Sequence, residues 1–126
     1  MVGCIILTHG DLCFGLKNTL EGMMGKQEAL FVVSNSGVGK DQLCSKLKKA
    51  ITDHKCGEGV VIFVDLFGSS CWQTATNIAP QDQKKVAVVT GVNLPMLIKF
   101  FSKRGTLPFE KLVPLVKKEG EKGIRS

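Results

Sequence analysis

Apolar runs of strand length alternate along this chain with stretches in which apolar residues recur every three or four positions. The first run, Val2 to Thr8, holds Val2, Cys4, Ile5, Ile6 and Leu7 and stops abruptly at His9 and Gly10. Helical spacing begins straight after: a helix is predicted from about Asp11 to Met24, with Leu12, Leu16, Leu20, Met23 and Met24 on one face and Gly25 ending it. A short strand, Ala29 to Val33, and a polar turn, Ser34 to Gly39, follow. Residues Asp41 to His54 place Leu43, Leu47, Ala50 and Ile51 inward and lysines outward. After Gly57 and Gly59 comes the most apolar, β-branched run, Val60 to Val64, expected at the centre of a sheet and ended by Asp65.

The remainder keeps the alternation. A helix is predicted over Ser70–Ile78 and a strand over Val86–Thr90. Asn93 can cap a helix running to Phe101, with Pro95 in its first turn, where proline is tolerated. A last helical segment starts near Thr106 and Pro108, and Pro114 is expected to kink or split it. Strand and helix in strict succession imply an α/β fold with a parallel sheet. At 126 residues the chain is expected to be one domain, 1–126.

Composition narrows the partners. Five cysteines, at 4, 13, 44, 56 and 71, show no C-x-x-C spacing, which argues against a disulfide framework or structural zinc site and for a reducing cytoplasm. No apolar run reaches membrane-span length, and the start lacks the basic leading region of a signal peptide, so no membrane insertion is expected. The formal charge is +6, with much of the excess late, in Lys99, Lys103, Arg104, Lys111, Lys117, Lys118, Lys122 and Arg125. Aromatics are few and no RNA-binding or zinc-finger motif occurs. The lysines therefore read as a solvated helix face, and no nucleic-acid partner is expected.

Two strand ends carry candidate chemistry. His9 lies where open α/β sheets place their ligand sites, facing the amino end of a helix, where unpaired N–H groups attract anions. It reads as a phosphoryl carrier or, on position alone, as a loop histidine. Asp65, followed by Leu66-Phe67-Gly68-Ser69-Ser70, ends the central strand before a helix. If that strand neighbours the first, Asp65 accepts the Nδ1 proton of His9, fixes the tautomer and leaves Nε2 as nucleophile. The Gly68–Ser70 backbone and the Ser70 hydroxyl are then candidate donors to phosphoryl oxygens. The plainer reading of Asp65 is a helix cap. Ser34 to Asp41 invites a P-loop reading that fails twice: Ser34 stands at the first glycine and Asp41 at the magnesium-binding Ser/Thr. Cys13 and Cys71, with His9 and Asp65, suggest a metal or redox site, but they are read here as two small apolar fillers.

Three motifs carry a family resemblance: Thr8-His9-Gly10 with Leu16 and Glu21-Gly22-Met23-Met24-Gly25; Asp65-Leu66-Phe67-Gly68-Ser69-Ser70; and Thr90-Gly91-Val92-Asn93-Leu94-Pro95-Met96-Leu97. Together, in order, they resemble the mannose-type (mannose/fructose/sorbose) EIIA components of the bacterial phosphoenolpyruvate-dependent sugar phosphotransferase system. The resemblance implies a three-layer, doubly wound α/β domain, a mainly parallel sheet in strand order 2-1-3-4 with helices on both faces and a short fifth antiparallel strand admitted. It implies a cytoplasmic phosphotransferase in which His9 is the phosphoryl acceptor and nucleophile. Phosphate would come from the phosphocarrier HPr and pass to a IIB protein or domain. It carries over Asp65 as the residue orienting His9, and Gly10, Gly68, Ser69 and Ser70 as phosphate-binding. No metal and no organic cofactor are implied. Two rivals share the fold: a regulatory phospho-acceptor not coupled to transport, and the phosphoryl donor subunit of dihydroxyacetone kinase, against which Asn93-Leu94-Pro95-Met96-Leu97 argues.

The chain departs from the family after Phe67. Where the family has Gly-Gly-Ser/Thr-Pro, it reads Gly68-Ser69-Ser70-Cys71. Ser69 loses a glycine's access to positive φ, and Cys71 loses the proline that presets a helical turn. The family resemblance also implies a homodimer through a crossing carboxyl-terminal strand. The matching segment here would begin at Gly123-Ile124, so a weak homodimer is expected.

Overall fold

The computed structural model describes residues 1–53, 57–81 and 84–126. Its elements are β1 (Gly3–Thr8), α1 (Leu12–Met24), β2 (Leu30–Ser34), α2 (Lys40–Asp53), β3 (Val60–Val64), α3 (Ser70–Ile78) with a 3₁₀ turn at Ala79–Gln81, β4 (Val86–Thr90), α4 (Leu94–Lys103) and α5 (Phe109–Lys122). The expected His54 end of the second helix lies outside the described residues. The sheet is parallel in the order β2-β1-β3-β4, as expected, and among the described residues no fifth strand joins it.

β1 and β3 are buried along their whole length, which is why they read as unbroken apolar runs rather than alternating ones. The period-2 pleat sends their side chains to two cores. Cys4, Ile6, Val61 and Phe63 pack with Leu20, Leu97, Phe100, Leu112 and Val116 of α1, α4 and α5. Ile5, Leu7, Ile62 and Val64 pack with Leu43, Leu47, Ile51, Ala75 and Ile78 of α2 and α3. Phe63 meets Phe100 edge to face at 5.4 Å, near the middle of the first core.

Three expectations are corrected. The buried stripe of α1 is Cys13, Leu16, Leu20 and Met24, whereas Leu12 and Met23 are 48% and 60% exposed. Counting Cys13 among the core residues rotates the helix away from the stripe drawn through Leu12. Pro114 does not split α5, which is continuous from Phe109 to Lys122. The N–H that proline lacks would have served the carbonyl of Glu110, an exposed residue whose carbonyl water can satisfy, while buried Leu112 and Val116 hold the helix in place. Arg104 is not part of the solvated basic face. It is buried at the end of α4, donating to the carbonyls of Val2 (3.3 Å) and Glu28 (2.7 Å), with its guanidinium 4.7 Å from the Phe101 ring centre.

Arg104 thus ties α4 to the segments that lead into β1 and β2. Arg104→Met is expected to lower stability by about 1–3 kcal/mol in urea denaturation, because buried carbonyls lose a charged donor. Arg104→Lys is expected to recover only part of it, since a single ammonium does not reproduce the planar fork.

Candidate functional site

The parallel register decides which side chains can meet. Leu7 lies opposite Val64, so Thr8 and Asp65 come level just past the end of the ladder, and His9 follows one residue on. The Asp65 carboxylate accepts twice from His9. The backbone N–H reaches Oδ2 at 3.0 Å, and ring Nδ1 lies 2.9 Å from Oδ2 and 3.1 Å from Oδ1. The second bond orients the imidazole, and the first fixes the loop that carries it. Asp65 is only 14% exposed at its side chain and His9 is 40% exposed. Nε2 has no hydrogen-bond partner among the described residues.

Burial pushes the Asp65 carboxyl up, but the hydrogen bonds from the His9 N–H and ring, together with their electrostatic attraction, outweigh it. The group is held below the usual carboxylate range. The pair is therefore an ionised carboxylate bound to the Nδ1 side of a partly exposed imidazole whose other nitrogen is unpartnered among the described residues. Such a group can attack an electrophile through Nε2 while the carboxylate stabilises the cationic ring that results.

The strand–helix turn after β1 is held by polar side chains from both sides. Buried Thr8 accepts at Oγ1 from the Cys13 N–H at 2.7 Å, capping α1 where Asp11 supplies no side-chain bond. Ser34 donates to the Gly10 carbonyl at 2.6 Å, and Asn35 accepts from the Gly10 N–H at 3.2 Å. Gly10 takes φ 57°, in the left-handed region, which makes the turn possible. Its amide is already engaged, so a phosphoryl oxygen at this position would have to compete with Asn35. Ser34 and Asn35 read in sequence only as a polar turn. The signal that could have found them is their place at the end of the strand beside β1, on the same sheet edge as His9.

The second loop accounts for the Ser69 departure noted in sequence. Positive φ is taken by Gly68, at 80°, and not by Ser69, which has an extended backbone at φ −74°. Ser69 is instead the N-cap of α3: it accepts from Trp72 N–H at 3.3 Å and donates to the Leu66 carbonyl at 2.7 Å. No glycine is needed there. Ser70 occupies the first position of α3 with an exposed side chain, its amide ahead of the first intrahelical bond. The structure brings His9 and Asp65 into contact, and places Gly68, Ser69 and Ser70 on the loop that follows Asp65 in the chain.

Cys13 and Cys71 are fully buried. Burial, then Asp65, then Cys13 push the Cys71 thiol up to about 11. One ligand atom each of His9, Asp65 and Cys71 lie within 4.8 Å of one another, among the described residues the only such group of three or more metal-capable side chains.

The chain is 29% identical over 127 residues to the "PTS system mannose-specific EIIAB component" of Escherichia coli (strain K12), covering 99% of the chain but 39% of that protein. It therefore spans about two fifths of the length of that relative. It is 31% identical over 114 residues to the "PTS system fructose-specific EIIA component" of Bacillus subtilis (strain 168), covering 90% of the chain and 77% of that protein. Its fold is shared with phosphotransferase system component EIIA from Streptococcus agalactiae, at TM-score 0.93 and 24% identity, covering 100% and 97% of the two chains. It is also shared with the mannose/sorbose-specific IIA subunit from Enterococcus faecalis, at TM-score 0.84 and 16% identity, covering 98% and 92%. The family model described as "PTS system fructose IIA component" matches residues 3–117, and the chain belongs to that family, the mannose-type EIIA components of the sugar phosphotransferase system.

Proposed function

We propose that His9 is the phosphoryl acceptor of this chain, loaded by phospho-HPr and unloaded to a IIB protein or domain. The observation that carries the reading is the double hydrogen bond between His9 and Asp65, with Nε2 unpartnered among the described residues. In the forward step Nε2 attacks phosphorus, the bond between phosphorus and the donor's histidine nitrogen breaks, and the P–Nε2 bond forms. No water is consumed. The ring becomes cationic with Nδ1–H retained, and the Asp65 carboxylate stabilises that charge. Transfer to the next acceptor reverses these roles. Phosphoryl transfer of this kind is positioning and electrostatics, so a shallow site suffices. The Gly68–Ser70 loop, through backbone amides and the Ser70 hydroxyl, is assigned to the equatorial oxygens.

The rim suits protein partners. Leu66 and Phe67 are 62% and 72% exposed and directly follow Asp65 in the chain, and exposed Leu12 lies three residues after His9. Apolar side chains so exposed around a polar centre mark a docking surface. No helix among the described residues is long and apolar enough to cross a membrane. We place the relay in the cytoplasm, where both partners would meet it. A weak homodimer is compatible with it, because the His9–Asp65 pair lies within one chain.

Incubation with phosphoenolpyruvate, enzyme I and HPr is expected to label His9 with an acid-labile, alkali-stable phosphoramidate. His9→Ala is expected to abolish the label, and labelling that survives overturns the assignment. A label that forms but never passes to a IIB protein would favour the regulatory phospho-acceptor.

Asp65→Asn is expected to slow transfer by about ten- to a hundredfold, from the loss of a charge-assisted hydrogen bond of about 1.5–3 kcal/mol, with the far-UV spectrum unchanged. An unaltered rate in single-turnover quench-flow would reduce Asp65 to a structural role.

The lowered Asp65 pKa fixes a sign for pH. A carboxyl whose folded-state value lies below its unfolded one stabilises the fold fully above about pH 4, and that share is lost as pH falls through the folded value. Denaturant titrations at stepped pH are expected to show a shallower acid decline in Asp65→Asn than in the wild-type chain.

A further inference from the structure

We propose that His9, Asp65 and Cys71 also form a binding site for a borderline-soft divalent cation, zinc above all, and that cation and phosphoryl group exclude each other at His9. The three side chains come from the residue after β1, the residue after β3 and the first turn of α3. One ligand atom from each already lies within 4.8 Å of the others. Their donors are an imidazole nitrogen, a carboxylate oxygen and a thiol sulfur. That mixed set suits zinc, whereas magnesium and calcium favour oxygen alone.

Cys71 supplies the second, independent observation. Its side chain is fully buried in the core shared with α2 and α3, and its sulfur makes no hydrogen bond among the described residues, yet a ligand atom of each of the two polar groups lies within 4.8 Å of that sulfur. Zinc–ligand bonds of about 2.0–2.3 Å in a tetrahedron place ligand atoms about 3.3–3.7 Å apart. Closing from 4.8 Å needs a contraction of about an ångström, which side-chain rotation of Asp65 and Cys71 can supply. The exposed edge of His9 gives the ion a way in and leaves the fourth position open to solvent.

Charge and protons balance simply. The thiol gives one proton to solvent as its sulfur binds, the neutral imidazole offers a lone pair without losing a proton, and Asp65 binds as the carboxylate it already is. Exclusion follows whichever ring nitrogen is used. A cation on Nδ1 draws Asp65 away and leaves the ring proton on Nε2, the nucleophilic atom. A cation on Nε2 occupies that atom directly. The exclusion rests on the phosphoryl-acceptor reading of His9; cation binding does not.

Cobalt(II) is the probe. Titrated into the reduced full chain, it is expected to produce a thiolate-to-cobalt charge-transfer absorption with tetrahedral d–d bands, displaced by zinc. The absorption is expected to persist in Cys13→Ser and to vanish in Cys71→Ser and in Cys71→Ala, the second variant guarding against a folding defect in the first. His9→Gln, at a partly exposed position, is expected to weaken cobalt binding at least about tenfold. Zinc is expected to slow labelling of the wild-type chain and to leave Cys71→Ser unaffected, the latter being labelled normally without zinc. Absence of a thiolate band at millimolar cobalt, or a band unchanged in both Cys71 variants, overturns the cation site. Equal zinc inhibition of wild type and Cys71→Ser overturns the exclusion. If His9 takes no label under any condition, the acceptor reading fails while the cobalt titration still decides the site.

Discussion

The register between β1 and β3 is the constraint on which everything at the site depends. Leu7 opposite Val64 brings His9 and Asp65 within hydrogen-bonding distance just beyond the last ladder pair. A slip of one residue would turn every side chain of a strand to the other face. Both strands are buried on both faces, so such a slip would break two cores at once: Ile6 and Phe63 against Phe100 on one side, Ile5 and Ile62 against Leu47 and Ile51 on the other. The position of the Asp65 carboxylate is thus set by aliphatic and aromatic packing well away from it.

The polar groups around the site refine what the register brings together. Thr8 ends β1 and caps α1 with one hydroxyl, so strand and helix share a joint. Ser34 and Asn35, at the end of β2, hold the two backbone groups of Gly10. With Asp65 receiving the His9 amide from the β3 side, the loop that carries His9 is gripped by both neighbouring strands. A histidine held in this way can react with little reorganisation, which is where positioned groups gain their rate. At the opposite end of the sheet Arg104 serves an analogous role for the amino ends of β1 and β2.

Long periodic segments made the elements legible, and α3 and β4 begin and end where the sequence placed them; the strand order came from the family resemblance that three motifs carry. His9 and Asp65 were legible as strand ends, because an apolar run that stops at an ionisable residue marks a sheet edge. Ser34 and Asn35 were not, since their task depends on which strand lies beside β1, and a polar turn looks the same in either case. Arg104 was hidden by its chemistry. A cation in a lysine-rich region reads as solvated, and only the carbonyls of Val2 and Glu28 meeting at one point explain its burial. Ser69 was misjudged for a local reason: the positive φ that a second glycine would have served is already taken by Gly68, leaving the next position free to become a cap.

Trp72 gives this arrangement an optical consequence. It is the single tryptophan of a chain without tyrosine, so near-ultraviolet emission comes essentially from one indole. Its ring lies 4.8 Å from that of Phe67, on the loop that follows Asp65, and Ser69 holds its amide at the start of α3. The indole is partly buried while Phe67 stands in solvent. A partner that covers Phe67, or charge that settles beside the α3 amino end, changes the polarity and field around that ring. The loop therefore carries an intrinsic fluorophore, and encounter at this edge of the sheet can be followed in real time without attaching a dye.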